Sequence, residues 1–155
     1  MHSAALLLFR RHAGAVEVLI GHMGGPFWRG KSVGAWSIPK GEYDPDTETA
    51  LDAARREFTE ELGIPVPDGD VHPLGEFRQG SGKRVTVFAI EADPDLSGVV
   101  FGEFELEWPP RSGRTASFPE IDDIAWCPVE RAGELLVKGQ RPALAALTAR
   151  LRAAG

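Results

Sequence analysis

The chain has 155 residues, 43% of them hydrophobic and 26% charged, which supports one packed core, leaves too little for two, and excludes a disordered chain. Its formal net charge of -6 excludes a general electrostatic pull toward nucleic acid or an anionic membrane, so a polyanionic ligand must be met by local cations or a metal. The expectation is a single domain over residues 1–155, with a small-molecule partner, no nucleic acid and no membrane; a homodimer stays open.

The apolar run Ala4 to Phe9 is too short for a signal-peptide core or a membrane span, and no basic segment precedes it, which points to the cytoplasm. Together with Val16 to Ile20 across a polar Arg10 to Gly14 connection, it reads as a β-hairpin. Gly21 to Gly34 follows, rich in glycine and carrying Trp28, Arg29 and Lys31, a composition suited to a surface loop. Trp36 to Ile38 reads as a short strand stopped by Pro39, and Asp44 to Thr47 supplies turn and cap residues for a helix over 48–62. Gly63 closes that helix and Pro65 prevents its continuation.

Further strands are expected at Leu74 to Phe77, Val85 to Glu91, Phe101 to Trp108 and Ile124 to Trp126. Short helices are expected over 129–137 and 142–152, and Pro109 to Phe118 reads as a long polar loop. Such a mixture implies an α/β fold, a mixed sheet covered by helices. Cys127 is the only cysteine, which excludes an intramolecular disulfide and a cysteine-rich zinc site and suggests a small core filler.

Helical spacing sets Leu51, Ala54, Phe58 and Leu62 on one face of the 48–62 helix and Glu57, Glu60 and Glu61 nearly opposite. Like charges at these spacings repel, and the helix C-terminus disfavours them further, so the three glutamates need a reason, and a bound divalent cation supplies one. Magnesium, a hard cation that takes oxygen ligands while retaining water and phosphate in its octahedron, suits adjacent carboxylates on a rigid helix. The plainer alternative is a solvated acidic face with an ordinary Arg56–Glu60 ion pair.

From Gly41 to Ile64 the chain resembles the Nudix hydrolase signature. Glu48, Arg56, Glu57, Phe58, Glu60, Glu61, Gly63 and Ile64 fall on the pattern, with seven residues between Glu48 and Arg56. Six residues rather than five separate Gly41 from Glu48, an insertion expected to bulge the turn and spare the carboxylate geometry. The resemblance implies an αβα sandwich with a mixed β-sheet and a hydrolase of a diphosphate linkage in a nucleotide-like substrate. It also implies Mg2+, or Mn2+, held by Glu57, Glu60, Glu61 and the backbone carbonyl of Lys40, with Arg56 orienting the acidic cluster.

Glu57 is a metal ligand in some members and general base in others. A base can also come from a distal loop, where Glu103, Glu105, Glu107 and Glu120 are available and Glu120 is preferred. Arg29, Lys31, Lys40, Lys83 and Arg84 are candidate phosphate contacts, and Trp28, Trp36 and Trp108 candidate base-stacking residues. His22 is given no catalytic role. The family branch is sometimes marked by a proline or tyrosine in the region that here reads Gln79-Gly80-Ser81-Gly82; neither is present, so the substrate stays open among dinucleoside polyphosphates, nucleotide-linked diphosphates, nucleoside triphosphates and diphosphoinositol phosphates. The alternative reading is a Nudix-fold sensor that binds a nucleotide without cleaving it.

Overall fold

In β1 (His2–His12), Ala4 to Phe9 are all fully buried. Successive side chains leave a strand on opposite faces; Leu6 and Leu8 enter one core cluster, Leu7 and Phe9 another. A strand covered on both sides is therefore apolar throughout rather than alternating, and β1 is the centre of the sheet. The computed structural model describes residues 1–80 and 82–154, so Ser81, within the segment inspected for a branch marker, and Gly155 lie outside the described residues.

β1 pairs in parallel with β6 (Arg84–Glu91), which carries β5 (Val71–Arg78) antiparallel on its far edge. The other edge of β1 is shared. Its C-terminal half pairs with β2 (Ala15–Met23) in the expected hairpin, and its N-terminal residues Ser3 to Ala5 pair with β4 (Lys40–Glu42). Along β2, β9 (Ile121–Pro128) fills one edge and β3 (Trp36–Ser37) takes the end of the other. The sheet therefore forks between β3 and β4, and in the fork the Leu6 N–H donates to the Pro39 carbonyl at 3.1 Å.

Helices close both faces of this mixed sheet. α1 (Ala50–Leu62) packs Ala53, Ala54, Phe58 and Leu62 against Leu6, Leu8 and Leu19. On the other side α2 (Val129–Leu135) and α3 (Arg141–Ala154) bury Ala132, Leu135, Leu144 and Leu147 against Leu7, Phe9, Val18 and Val87, with Cys127 among them. The αβα sandwich expected from the sequence is present. No helix among the described residues is long and apolar enough to cross a membrane.

Several boundaries differ from the sequence reading. Thr49, not the Asp44 to Thr47 stretch, caps α1, its side chain accepting from the Asp52 N–H at 3.2 Å; Asp44 instead closes the preceding turn by accepting from Asp46. β4 was not anticipated, because three residues make too short a run to announce a strand. The strand expected at Phe101 to Trp108 is β7 (Glu103–Glu107), but the expected polar loop after it is partly strand, β8 (Thr115–Pro119), and the two form a separate two-stranded sheet.

Candidate active site

Arg56 organises the acidic end of α1. Its Nε and Nη2 each donate to one oxygen of Glu48 at 2.9 Å, Nη1 donates to Glu57 at 2.8 Å and to Glu60 at 3.2 Å, and Nη2 also reaches the Glu42 carbonyl at 3.4 Å. Only a planar guanidinium can serve this fan of acceptors, one of them in bidentate fashion. The hydrogen bonds it donates to Glu48, then those to Glu57 and Glu60, raise Arg56 above its already high range, and Arg56 lowers Glu48 in return. Because Glu48 sits in the turn before α1 and still meets Arg56 in register, the extra residue after Gly41 is absorbed upstream of the helix.

The three glutamates do not share one exposed face. Glu60 is 57% exposed in its side chain, whereas Glu61 is only 8% exposed, and Leu51, expected in the core, is half-buried. The cause is tertiary: α1 lies against β4 as well as β1, so the buried arc of the helix widens to include Ala53 and Glu61. Oε1 of Glu61 accepts from the Lys40 N–H at 2.8 Å, and among the described residues its other oxygen has no protein donor. Burial pushes the Glu61 carboxyl up to about 8 against the opposing pull of the Lys40 N–H. Glu57 is also raised by burial, partly offset by Arg56. Its carboxylate lies where a Cβ at Gly41 would stand, so glycine at 41 permits the approach of β4 to α1.

Glu61 faces a cleft of about 340 Å³ lined by Lys40, Gly41, Glu42, Glu57 and Glu120. A second hollow of about 130 Å³ continues from Lys40, Glu61 and Glu120 to Met23, Trp28, Ser37 and Phe104. The cleft thus has an acidic wall, from β4 and α1, and an aromatic wall, from the β2–β3 loop and β7. Glu120 stands between β8 and β9, anchored through its main chain: its N–H donates to Gly102 at 2.9 Å and its carbonyl accepts from Gly24 at 3.0 Å. The Gly102 N–H in turn donates to the Glu61 carbonyl at 3.1 Å, so the segment that caps α1 also sets Glu120. Burial raises the Glu120 carboxyl, with Lys40 opposing, and among the described residues its side chain has no ion pair.

Among the described residues no three histidine, cysteine, aspartate or glutamate side chains close into a metal cage. The donors nonetheless fit a hard cation: Glu61 presents an unpartnered oxygen to the cleft, Glu57 and Glu120 line the same space, and burial disfavours the uncompensated negative charge. An open, oxygen-only set that leaves positions for water and phosphate suits magnesium or manganese better than zinc.

The candidate cations scatter. Lys40 lines both hollows. Arg29 and Lys31 belong to the β2–β3 loop without lining either one, and the Lys31 ammonium lies 5.8 Å over the Trp28 ring. Lys83 and Arg84 are at the β5–β6 turn, across β1 from the site, where Arg84 pairs with Glu76 at 3.2 Å. Trp36 packs edge-on against His22 and Trp108 against Phe27; of the three tryptophans considered, Trp28 lines the cleft. Sequence reasoning missed Glu42, Met23, Ser37 and Phe104, which carry no motif and reach the cleft only through strand pairing.

Fold and site together define an αβα sandwich with a forked mixed sheet, whose helix presents carboxylates to an open, metal-compatible cleft. The NUDIX domain family matches residues 1–151. Across 98% of both chains, the structure of a C. elegans Ap4A hydrolase binary complex is 24% identical with a TM-score of 0.69. The NUDIX domain of Shewanella oneidensis NrtR complexed with ADP ribose is 12% identical with a TM-score of 0.65, over 97% of this chain and 88% of that one. A 17.7 kDa protein of Enterobacteria phage T4 is 36% identical over 73 residues, 46% of this chain; the chain spans about half of that relative's length, 48%. The chain belongs to the Nudix family.

Proposed function

We propose that the protein is a metal-dependent pyrophosphohydrolase that cleaves the diphosphate linkage of a nucleoside diphosphate joined to a further group, such as a dinucleoside polyphosphate, a nucleotide-sugar or a nucleoside triphosphate. The observation that carries this reading is the convergence of Glu57, Glu61, Glu120 and Lys40 on one cleft that continues to Trp28 and Phe104. It combines carboxylates for a cation, a cation for phosphate and an apolar surface for a base. The neighbours whose names include Ap4A and ADP ribose support a ligand of this class.

Glu57, Glu60, Glu61 and the Lys40 carbonyl would hold Mg2+, or Mn2+ in its place. Once bound, the ion would neutralise phosphate oxygens and acidify the attacking water. Arg56 keeps the carboxylates apart and aimed, and the Lys40 N–H orients Glu61. Glu120 is the assigned general base: it lines the cleft, its carboxyl is raised by burial, and among the described residues it has no ion pair, whereas Glu57 is engaged by Arg56. The Lys40 ammonium meets phosphate oxygens that the metal leaves unneutralised, while Trp28 flanks the base.

The test is a panel of diadenosine polyphosphates, ADP-ribose, nucleotide-sugars and nucleoside triphosphates in magnesium and in manganese, with phosphorus products identified. Hydrolysis of at least one member, stopped by chelation, is expected. Tight binding with no turnover across the panel would replace the hydrolase by a nucleotide sensor.

A further inference from the structure

His22 occupies the penultimate position of β2, and both of its ring nitrogens are engaged. Nδ1 lies 2.7 Å from Oδ1 of Asp122 and Nε2 lies 2.6 Å from the carbonyl oxygen of Lys31. A carboxylate and a backbone carbonyl accept hydrogen bonds and donate none. Neutral imidazole has one N–H and one bare nitrogen, so it satisfies one of these partners and sets a lone pair against the other; imidazolium satisfies both. The ring is only 13% exposed and packs edge-on against Trp36, with centroids 5.3 Å apart, so water cannot readily replace either partner.

The two partners belong to separate parts of the molecule. Asp122 is on β9, within the main sheet, whereas Lys31 is in the loop between β2 and β3. Among the described residues this is the one hydrogen bond that ties residues 26–31 to the body of the protein. The loop's other bonds close its own turns: Trp28 N–H to the Gly25 carbonyl at 3.3 Å, and Lys31 N–H to the Trp28 carbonyl at 3.1 Å. With the Lys31 ammonium also over the Trp28 ring, holding Lys31 holds Trp28, and Trp28 lines the cleft beside Lys40, Glu61 and Glu120.

Resting on the hydrolase reading of that cleft, we infer that protonated His22 is a positioning residue that latches the β2–β3 loop to β9, holding Trp28 as a platform for the aromatic base of the substrate, and that loss of the proton releases it. The charged groups facing the ring are Asp122 and Asp123 from β9; Lys31 presents its carbonyl, and Trp36 from β3 is uncharged. Burial by itself disfavours the imidazolium, but the Lys31 carbonyl and the two aspartates outweigh it and raise His22 above the usual range. The latch is therefore closed at low pH and opens as pH rises through that raised value.

Nuclear magnetic resonance on the full chain tests this without a substrate, by following the His22 ring nitrogens and the Trp28 indole N–H from about pH 5.5 to 9, a range that brackets imidazole titration. Both ring nitrogens of His22 should be protonated at the acid end, and the Trp28 resonance should shift with the same midpoint. Asp122→Asn, a change at a surface carboxylate, should move both midpoints down together, and His22→Gln should abolish the Trp28 transition. A His22 that is neutral throughout, or a Trp28 resonance indifferent to its titration, overturns the latch; should His22→Gln fail to fold, the Asp122→Asn shift decides alone.

On a substrate found by the panel, the ratio of KM in His22→Gln to KM in the natural protein should be about tenfold near pH 6 and fall toward one near pH 9, the range expected for one hydrogen bond to a charged group, with kcat nearly equal at each pH. Effects of pH on metal and base are common to both proteins and cancel in that ratio; a ratio flat with pH overturns the role in binding. A panel without any turnover rejects the hydrolase reading, whereas the resonance titration still accepts or rejects the latch.

Discussion

On the acidic wall of the cleft one guanidinium serves three carboxylates and a carbonyl, and Glu61 is fixed by the Lys40 main chain. On the aromatic wall a single side chain, among the described residues, hydrogen-bonds residues 26–31 to the body, and Phe27 and Val33 stand 60% and 71% exposed. The acidic wall must keep oxygens within tenths of an ångström for chemistry. The aromatic wall must admit and release a bulky group, and few anchors suit that task. Rigidity is concentrated where bonds are to be broken and compliance where a substrate is chosen.

Removing the second oxygen at the acidic wall should give the largest effect. Glu61→Gln is expected to lower metal-dependent turnover about 10²- to 10³-fold, the loss of several kcal/mol of transition-state charge stabilisation. Stability should move the other way. The Glu61 carboxyl is raised from 4.5 in the unfolded chain to about 8 in the fold, so its contribution to stability is full below the lower value and is lost as pH rises through the upper one. With chelator present, glutamine should therefore raise the melting temperature at about pH 9 and leave it nearly unchanged at about pH 4. Turnover within threefold of the natural protein, or an early melt at high pH, would remove Glu61 from the site.

Phe58, three residues earlier on the same helix, sharpens the contrast because it is fully buried. Phe58→Ala should cost about 3–5 kcal/mol in denaturant unfolding while activity per folded molecule falls far less than in Glu61→Gln. A loss under about 1 kcal/mol would mean that α1 is not seated on the sheet as described.

Arg56→Lys keeps the charge and removes the fork. An activity loss of about 10- to 100-fold is expected, the usual cost of misorienting ligands through their supporting residue. Steady-state kinetics as a function of magnesium should show a weaker metal dependence. An unchanged magnesium requirement would confine Arg56 to a surface ion pair.

The smallest effect belongs to the aromatic wall. Trp28→Ala should raise KM by about tenfold, within the range of base-on-aromatic stacking, and leave kcat and the melting temperature nearly unchanged. A fall in kcat as large as that of Arg56→Lys would erase the distinction between the walls.

The primary sequence by itself determined the local devices. The left-handed Gly63 at φ 68° that closes α1, the seven residues from Glu48 to Arg56 and the apolar run of β1 all act within a few turns of chain, where spacing translates directly into geometry; the cap at the other end of α1 fell on Thr49 rather than within Asp44 to Thr47. Helical periodicity also set the angular positions of Glu57, Glu60 and Glu61, yet it left open what would lie beside them. Only the tertiary structure decided that β4 would cover Glu61, that the Gly102 segment would carry Glu120 to the opposite side of the same cleft, and that His22 would join Asp122, 100 residues away, to the Lys31 carbonyl. Those contacts depend on which strand edges meet, and the pairing of distant edges is settled by the packing of the whole sheet rather than by the residues that it brings together.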